Sequence, residues 1–237
     1  MLNVAATPVP PANRLLSSLP VHQRNAIHRG SEAVSYAVGD VLLHSDTHSN
    51  YVFFPLETVV SVVRTLREEL SVELGLIGSE GMVGLDVMMD ARTQLDDAVV
   101  QTAGSALRMP ADDLRKLFYG GGPLQHHLLR FTHAFLGQVA QNAACARFHS
   151  LVARTAKWLL MIQDRSAPNE VQTTLPLLSM SLGAEEDEIE DVMGRLSAAG
   201  GLRWRRDSIA IERERLELSA CECYETLREA YARTLAS

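Results

Sequence analysis

The chain has 237 residues, a formal net charge of −7 and 46% hydrophobic residues, enough for one large domain or two modest ones with real cores. Its three cysteines, Cys145, Cys221 and Cys223, are an odd number that argues against a disulfide scaffold, and no apolar run reaches the roughly 18 residues of a membrane span. Residues 1–147 carry 11 basic and 14 acidic residues and residues 148–237 carry 11 and 15, so neither half is a basic nucleic-acid module and any DNA contact must come from a local patch.

Residues 1–12 read as a flexible, proline-containing leader without the charged start and apolar stretch of a secretory signal, which places the protein in the cytoplasm. From Asn13 to Arg29, "NRLLSSLPVHQRNAIHR" gives short helical turns with Leu15, Leu16 and Leu19 as the apolar side. Between Glu32 and Met109 the pattern changes to short apolar runs such as "YVFFPLETVVSVVRTL" and "AVVQTAGSALRM", punctuated by Gly-Asp and Gly-Ser-Glu-Gly, which predicts a β-sandwich or roll. "PADDLRKLF" then begins a helix with Asp112 and Asp113 in its first turn, where the helix dipole favours them.

Pro123 opens a long helical pattern. Leu124, Leu128, Phe131, Phe135, Val139 and Ala143 recur at spacings of three and four, a stripe suited either to a buried core helix or to half of a paired dimer helix. "LVARTAKWLLMIQDR" predicts a second helix, ending before Ala167-Pro168. Further on, "LPLLSMSLG" is a short helix stopped by Gly183, and Ile189, Val192, Met193 and Leu196 fall on the inward face of the next helix. Gly200-Gly201 ends it, and "LRWRRDSIAI" reads as a hairpin turned at Arg206-Asp207. Helix, turn, helix and hairpin give a winged helix-turn-helix outline. Glu212 to Leu235, with Leu216, Ala220, Tyr224, Leu227, Tyr231 and Leu235 on one side, predicts a single closing amphipathic helix.

In this order, the phrases "VFFP", "VVSVV", "GSEGMVG", "VVQTAGSALRMP", "ACARFHSL", "AKWLLMIQDR" and "ACECY" resemble the Crp/Fnr family of bacterial transcription regulators, from about Asn13 to the end of the chain. The resemblance implies an α+β protein: a cyclic-nucleotide-binding-like β-roll sensor (13–122), a dimer helix (123–147) carrying Leu124, Leu128, Phe131, Phe135 and Val139, and a winged-helix domain of DNA-binding type with an extra C-terminal helix (148–237). It implies a homodimer.

Two stretches depart from that family. Cyclic-nucleotide-binding relatives hold the phosphate with backbone amides, a glutamate near the ribose and an arginine on the phosphate. Here the corresponding turn is "GMVGLDVM", with Leu85 at the glutamate position and Asp96-Asp97 near the arginine position. A carboxylate repels a phosphodiester and supplies none of the charge-assisted hydrogen bonds it requires, so the roll is expected not to be specific for cyclic nucleotide. The second departure is the recognition helix, Glu185 to Ala198. DNA-binding relatives present arginine, serine and threonine there. This chain presents Glu185, Glu186, Asp187, Glu188, Glu190 and Asp191. One carboxylate reads a cytosine amino group, but unit charges about 8 Å apart repel by roughly 0.5 kcal/mol even in water. The opposing basic group is "RWRR", where Arg203, Arg205 and Arg206 would hold a phosphate from the wing.

Other chemistry is weakly signalled. The first 144 residues contain no cysteine, which fails the N-terminal cluster that an iron–sulfur relative needs. On a helical pattern the thiols of Cys221-Glu222-Cys223 would point about 200° apart, so the cysteines are expected to be buried structural residues, with no metal site and no cofactor. His149, in "ARFHSL", is expected to pack or cap at the join after the long helix. No nucleophile elbow or phosphate-binding glycine loop recommends an enzyme. The leading expectation is a DNA-binding homodimeric regulator. The alternative is a paralogue that does not bind DNA, whose acidic helix engages a protein partner or which forms inactive heterodimers with a related regulator; a thiol- or metal-based redox sensor using Cys145, Cys221 or Cys223 ranks third.

Overall fold

A computed structural model describes residues 12–66, 71–91, 93–166, 170–205 and 208–235. Two short helices, α1 (Arg14–Ser17) and α2 (Val21–Arg29), lead into the roll, with Asn13 capping α1 by accepting from Leu16 N. Leu15, Leu16, Leu19 and Ile27 are buried against the strands.

The roll consists of two antiparallel sheets. One orders β1 (Glu32–Tyr36), β7 (Gly104–Pro110) and β3 (Tyr51–Pro55); the other orders β2 (Val41–Leu43), β6 (Asp97–Thr102), β4 (Val59–Thr65) and β5 (Ser71–Ile77). The near-continuous apolar run of β4 follows from burial on both faces. Val60 and Ile77 face the interior of the roll, whereas Val59 and Leu76, one residue away on each strand, join the core of the C-terminal half. A shift of one residue in the β4–β5 register would exchange these sets, so both cores fix the pairing.

The helix α3 (Ala111–Tyr119) closes the roll, and α4 (Pro123–Phe148) runs from it for 26 residues. Leu124, Leu128, Phe131 and Phe135 of α4 are buried in the roll core of the same chain, and Val139 packs against it. For the first four this corrects their assignment to a dimer seam, because a side chain already covered by its own sheet has no surface left for a second copy; Val139 is half-buried. Gly81 in the β5-following turn permits the approach, since a Cβ there would collide with the Phe131 ring. The outer face of α4 carries Leu129 and Leu136, more than half exposed, with Gly137, Ala140, Ala143 and Ala144 alongside them on the helix.

After Ser150, whose hydroxyl caps the helix by accepting from Ala153 N, come α5 (Leu151–Gln163), β8 (Glu170–Gln172), α6 (Leu175–Leu182), α7 (Glu186–Ala198), β9 (Leu202–Arg205) and β10 (Ser208–Ile211). The wing has three strands, in the order β8-β10-β9, rather than the two of a simple hairpin. Its turn, Arg206-Asp207, lies outside the described residues. The chain end is two helices, α8 (Arg213–Glu217) and α9 (Cys223–Leu235), not one. They are separated at 218–222, where Leu218 is exposed and Cys221 turns inward.

The helix α9 lies antiparallel along α4. Tyr231 is buried in the roll core with its ring centroid 6.4 Å from that of Phe131, while at the other end Gln141 Nε2 of α4 donates to Cys223 Sγ over 3.0 Å. The C-terminal half is thereby splinted to the long helix.

Candidate nucleic-acid interface and sensor cavity

The turn between α6 and α7 is set by Gly183, whose φ of 58° lies in the left-handed region that suits glycine. Ser179 Oγ donates to Ala184 O over 2.6 Å and holds the turn. Ile189, Val192, Met193 and Leu196 point into the core as the spacing predicts, leaving the acids of α7 exposed.

Those acids do not all play the same part. Glu188 reaches back to accept from Glu185 N over 3.1 Å, the reciprocal half of a capping box. Asp187 Oδ1 accepts from Glu188 N over 2.9 Å. Each first-turn acid also gains about 0.3–1 kcal/mol from the helix dipole. Asp191 lies 3.7 Å from Arg195 one turn along, an exposed i,i+4 pair of small net worth. Local structure therefore accounts for Glu185, Asp187, Glu188 and Asp191, while Glu186 and Glu190 project to solvent from the same helix.

The wing is less basic than its sequence. Arg203 Nη2 pairs with Glu212 Oε1 over 3.0 Å, both groups largely exposed. Arg205 is exposed at the end of β9, and Arg206 lies outside the described residues.

In the roll, a cavity of about 280 Å³ lies beside the turn that follows β5, lined in part by Val83, Leu85, Asp86, Asp96, Asp97 and Leu136. Gly84, at φ 98°, starts a 3-10 turn over Leu85–Met89. The carboxylates are already engaged: Asp86 accepts from Gln94 Nε2, Asp97 Oδ1 from Ser45 N over 2.9 Å, and Asp96 is paired with Arg64. No arginine or lysine is among the described residues lining this cavity. Thr132 and Phe135 of α4 close one wall, so the same helix borders the cavity and supports α9.

Three buried groups lie at the junction of the two halves, and the partners of each were not foreseen. Glu80, read in the sequence as part of a turn, is a buried carboxylate paired with buried Arg165 over 2.7 Å and with Arg14 over 3.5 Å. Burial alone would raise its pKa, but the two guanidinium groups and the N–H groups of Gly78 and Glu80 outweigh burial and hold it below the ordinary carboxylate value. Glu73 of β5 accepts from Trp158 Nε1 of α5 over 2.9 Å and from Ser61 Oγ. Its burial pushes the carboxyl up, against those hydrogen bonds and the Lys157 charge. A lone acid inside an apolar stretch was the available signal for both; the partner was not readable, because it lies 85 residues away.

The third group is the cysteines. Cys221 precedes α9 instead of lying on it, so the thiols of Cys221 and Cys223 converge rather than diverge. Together with Cys145 and His149 they place four potential ligand atoms within 4.8 Å of one another. His149 is the residue at the C-cap of α4, and its ring faces this cluster.

Residues 33–119 match the family model of the cyclic nucleotide-binding domain, although the lining of the cavity departs from what a phosphodiester needs. No curated protein matches the sequence. Among solved structures, the chain is similar to FixK2 from Bradyrhizobium japonicum (TM-score 0.68, 15% identity, 81% of this chain and 98% of that one). It is also similar to a transcriptional regulator of the CRP/FNR family from Thermus thermophilus (TM-score 0.64, 19% identity, 80% and 98%). A third is the c-di-GMP responsive global regulator CLP from Xanthomonas campestris (TM-score 0.60, 16% identity, 81% and 99%). The chain thus joins a domain of cyclic nucleotide-binding type to a helical C-terminal half in the fold of the Crp/Fnr transcriptional regulators.

Proposed function

We propose that the protein is a homodimeric transcription regulator whose α7 enters the DNA groove and whose roll senses something other than a cyclic nucleotide. The observation that carries this reading is the exposed face of α7, held rigidly by its buried side and followed at once by a three-stranded wing bearing Arg203 and Arg205. A helix presented this way reads bases with its first residues, while the wing and the helix ends position the backbone. Glu186 and Glu190 would then accept from cytosine amino groups. The outer face of α4, with Leu129 and Leu136 beside small residues, supplies the surface for a second copy. In this reading the roll spans 13–122, the dimer helix 123–147 and the winged helix 148–237.

The charge of α7 favours a second reading, in which its face engages a protein and not DNA. Selection from a random-sequence duplex pool at about 50 mM salt, where phosphate contacts register even without specificity, separates the two. Enrichment of a two-fold symmetric site supports the regulator that binds DNA. Folded dimer that retains no duplex refutes it and points to the acidic face as a protein-binding surface.

A further inference from the structure

We infer that Cys145, His149, Cys221 and Cys223 form a Cys3His site for a tetrahedral divalent metal ion, Zn²⁺, that ties the end of α4 to the start of α9. The assignment stands on the donor set alone and goes beyond the DNA-binding reading. A Zn²⁺ tetrahedron with Zn–S of about 2.3 Å and Zn–N of about 2.0–2.1 Å has S···S edges of about 3.8 Å and S···N edges of about 3.6 Å. Cys145 Sγ lies 3.6 Å from Cys221 Sγ, and Cys223 Sγ lies 3.5 Å from His149 Nδ1. The four donor atoms form a closed group within 4.8 Å. One ion fits among them with small adjustments, whereas a disulfide between Cys145 and Cys221 would need its sulfurs at about 2.05 Å.

The chain delivers the ligands in two pairs. Cys145 and His149 stand one turn apart at the end of α4, where His149 N bonds Cys145 O over 3.0 Å. Cys221 and Cys223 flank Glu222 in the turn that opens α9, where Tyr224 N bonds Cys221 O over 3.0 Å.

The surroundings suit thiolates bound to a cation rather than small apolar side chains. Gln141 Nε2 donates to Cys223 Sγ over 3.0 Å. His149 turns Nδ1 to the sulfurs and holds Nε2 3.1 Å from Glu222 Oε1; a metal-bound histidine is oriented in this way by a carboxylate on its far nitrogen. Buried Lys157 of α5, which lines the same cavity as Cys145, supplies a positive charge beside the cluster. Three thiolates, a neutral imidazole and Zn²⁺ sum to one negative charge, which Lys157 balances. With four protein donors no coordination position stays open, so the site is structural and not catalytic.

The test uses the full chain, purified in reducing buffer without chelator. Metal analysis is expected to find one Zn²⁺ per chain. After its removal, Co²⁺ is expected to bind one per chain with thiolate-to-metal absorption and the intense d–d bands of tetrahedral geometry, and to be displaced by Zn²⁺. Cys223→Ala should lower the charge-transfer intensity and weaken Zn²⁺ by more than about 100-fold, beyond the roughly 10–100-fold expected for Glu222→Gln, which removes only the orienting carboxylate. The wild-type spectrum decides the matter even if a cysteine variant fails to fold. Failure to bind Co²⁺, an octahedral spectrum without thiolate absorption, or a Cys145–Cys221 disulfide in the isolated protein would each overturn the site. None of these outcomes depends on whether the protein binds DNA.

Discussion

Removing Glu80 tests whether the two halves are held together as the structure describes. In Glu80→Ala, Arg165 keeps its bonds to Met161 O and, at 3.4 Å, to Gln138 Oε1. Its Nε loses its acceptor, however, and its charge, with the side chain only 6% exposed, loses its counterion. A buried charge stripped of its partner costs about 3–5 kcal/mol. The reverse change, Arg165→Ala, leaves Glu80 with Arg14, half exposed at 3.5 Å, and with Gly78 N, so the loss is smaller, about 2–3 kcal/mol on the scale of charged hydrogen bonds. The double variant removes both charges and should cost little more than Glu80→Ala alone, giving a coupling energy of about 2–3 kcal/mol. Urea unfolding followed by fluorescence of Trp158 and Trp204, both in the C-terminal half, and by far-ultraviolet circular dichroism measures all three variants. A cost below about 1 kcal/mol for Glu80→Ala, with additive single variants, would show that the pair does not bridge the halves in solution.

The pH dependence of the same pair has a definite sign. The folded pKa of Glu80 lies below its unfolded value, so its contribution is complete above the ordinary carboxylate range and is lost as pH falls through the folded value. The stability gap between wild type and Glu80→Gln should therefore be constant near neutrality and close in acid; a gap independent of pH throughout would refute it. Neutralising Glu186, Asp187, Glu190 and Asp191 together should strengthen binding to scrambled duplex and reduce the preference for the selected site by about tenfold or more, as measured by competition; an unchanged preference would deny these carboxylates any role in reading bases. Leu136→Glu, on the exposed face of α4, should convert a dimer to a folded monomer in sedimentation analysis, since burying a leucine contributes about 1.5–3 kcal/mol per copy; a variant that remains dimeric would move the interface elsewhere. A ligand at about a hundred times its Kd adds about 2.7 kcal/mol of stability. Cyclic AMP is expected to add none, and a saturable rise in Tm would overturn the reading of the cavity.

The sequence was legible where a periodicity meets one environment. The inward set of α7 and the stop of α6 at Gly183 follow from local chemistry alone, and so does the run of short strands. The stripe of α4 was legible as apolar but not as to its partner, because the same spacing serves a roll core and a dimer seam. Burial of Phe131 against Gly81 decides between them. The cysteine cluster was hidden by a local assumption. A helix drawn through 221–223 separates the two thiols, whereas the break before α9 brings them together and meets Cys145 from 76 residues away.

Among the ties between the halves, those made by α9 limit how a signal from the roll would move α7. The helix α4 walls the roll cavity with Thr132 and Phe135 and carries Phe131 against Tyr231 of α9. Arg165, just beyond the end of α5, stacks over that same Tyr231 ring at 4.9 Å while holding Glu80. At the opposite end of α9, Cys223 and Cys221 meet Cys145 and His149. The helix α9 is thus fixed to α4 near both of its ends, and a swing about the α4–α5 junction at His149-Ser150 must break one set of contacts or carry α9 with it. A metal ion at the Cys145 end would make that end the firmer, leaving the Tyr231–Arg165–Glu80 end as the one that yields. Glu80→Ala should then raise hydrogen exchange in α9 from Tyr231 onward while residues near Cys223 stay protected, and protection lost equally along the helix would contradict this order of strengths.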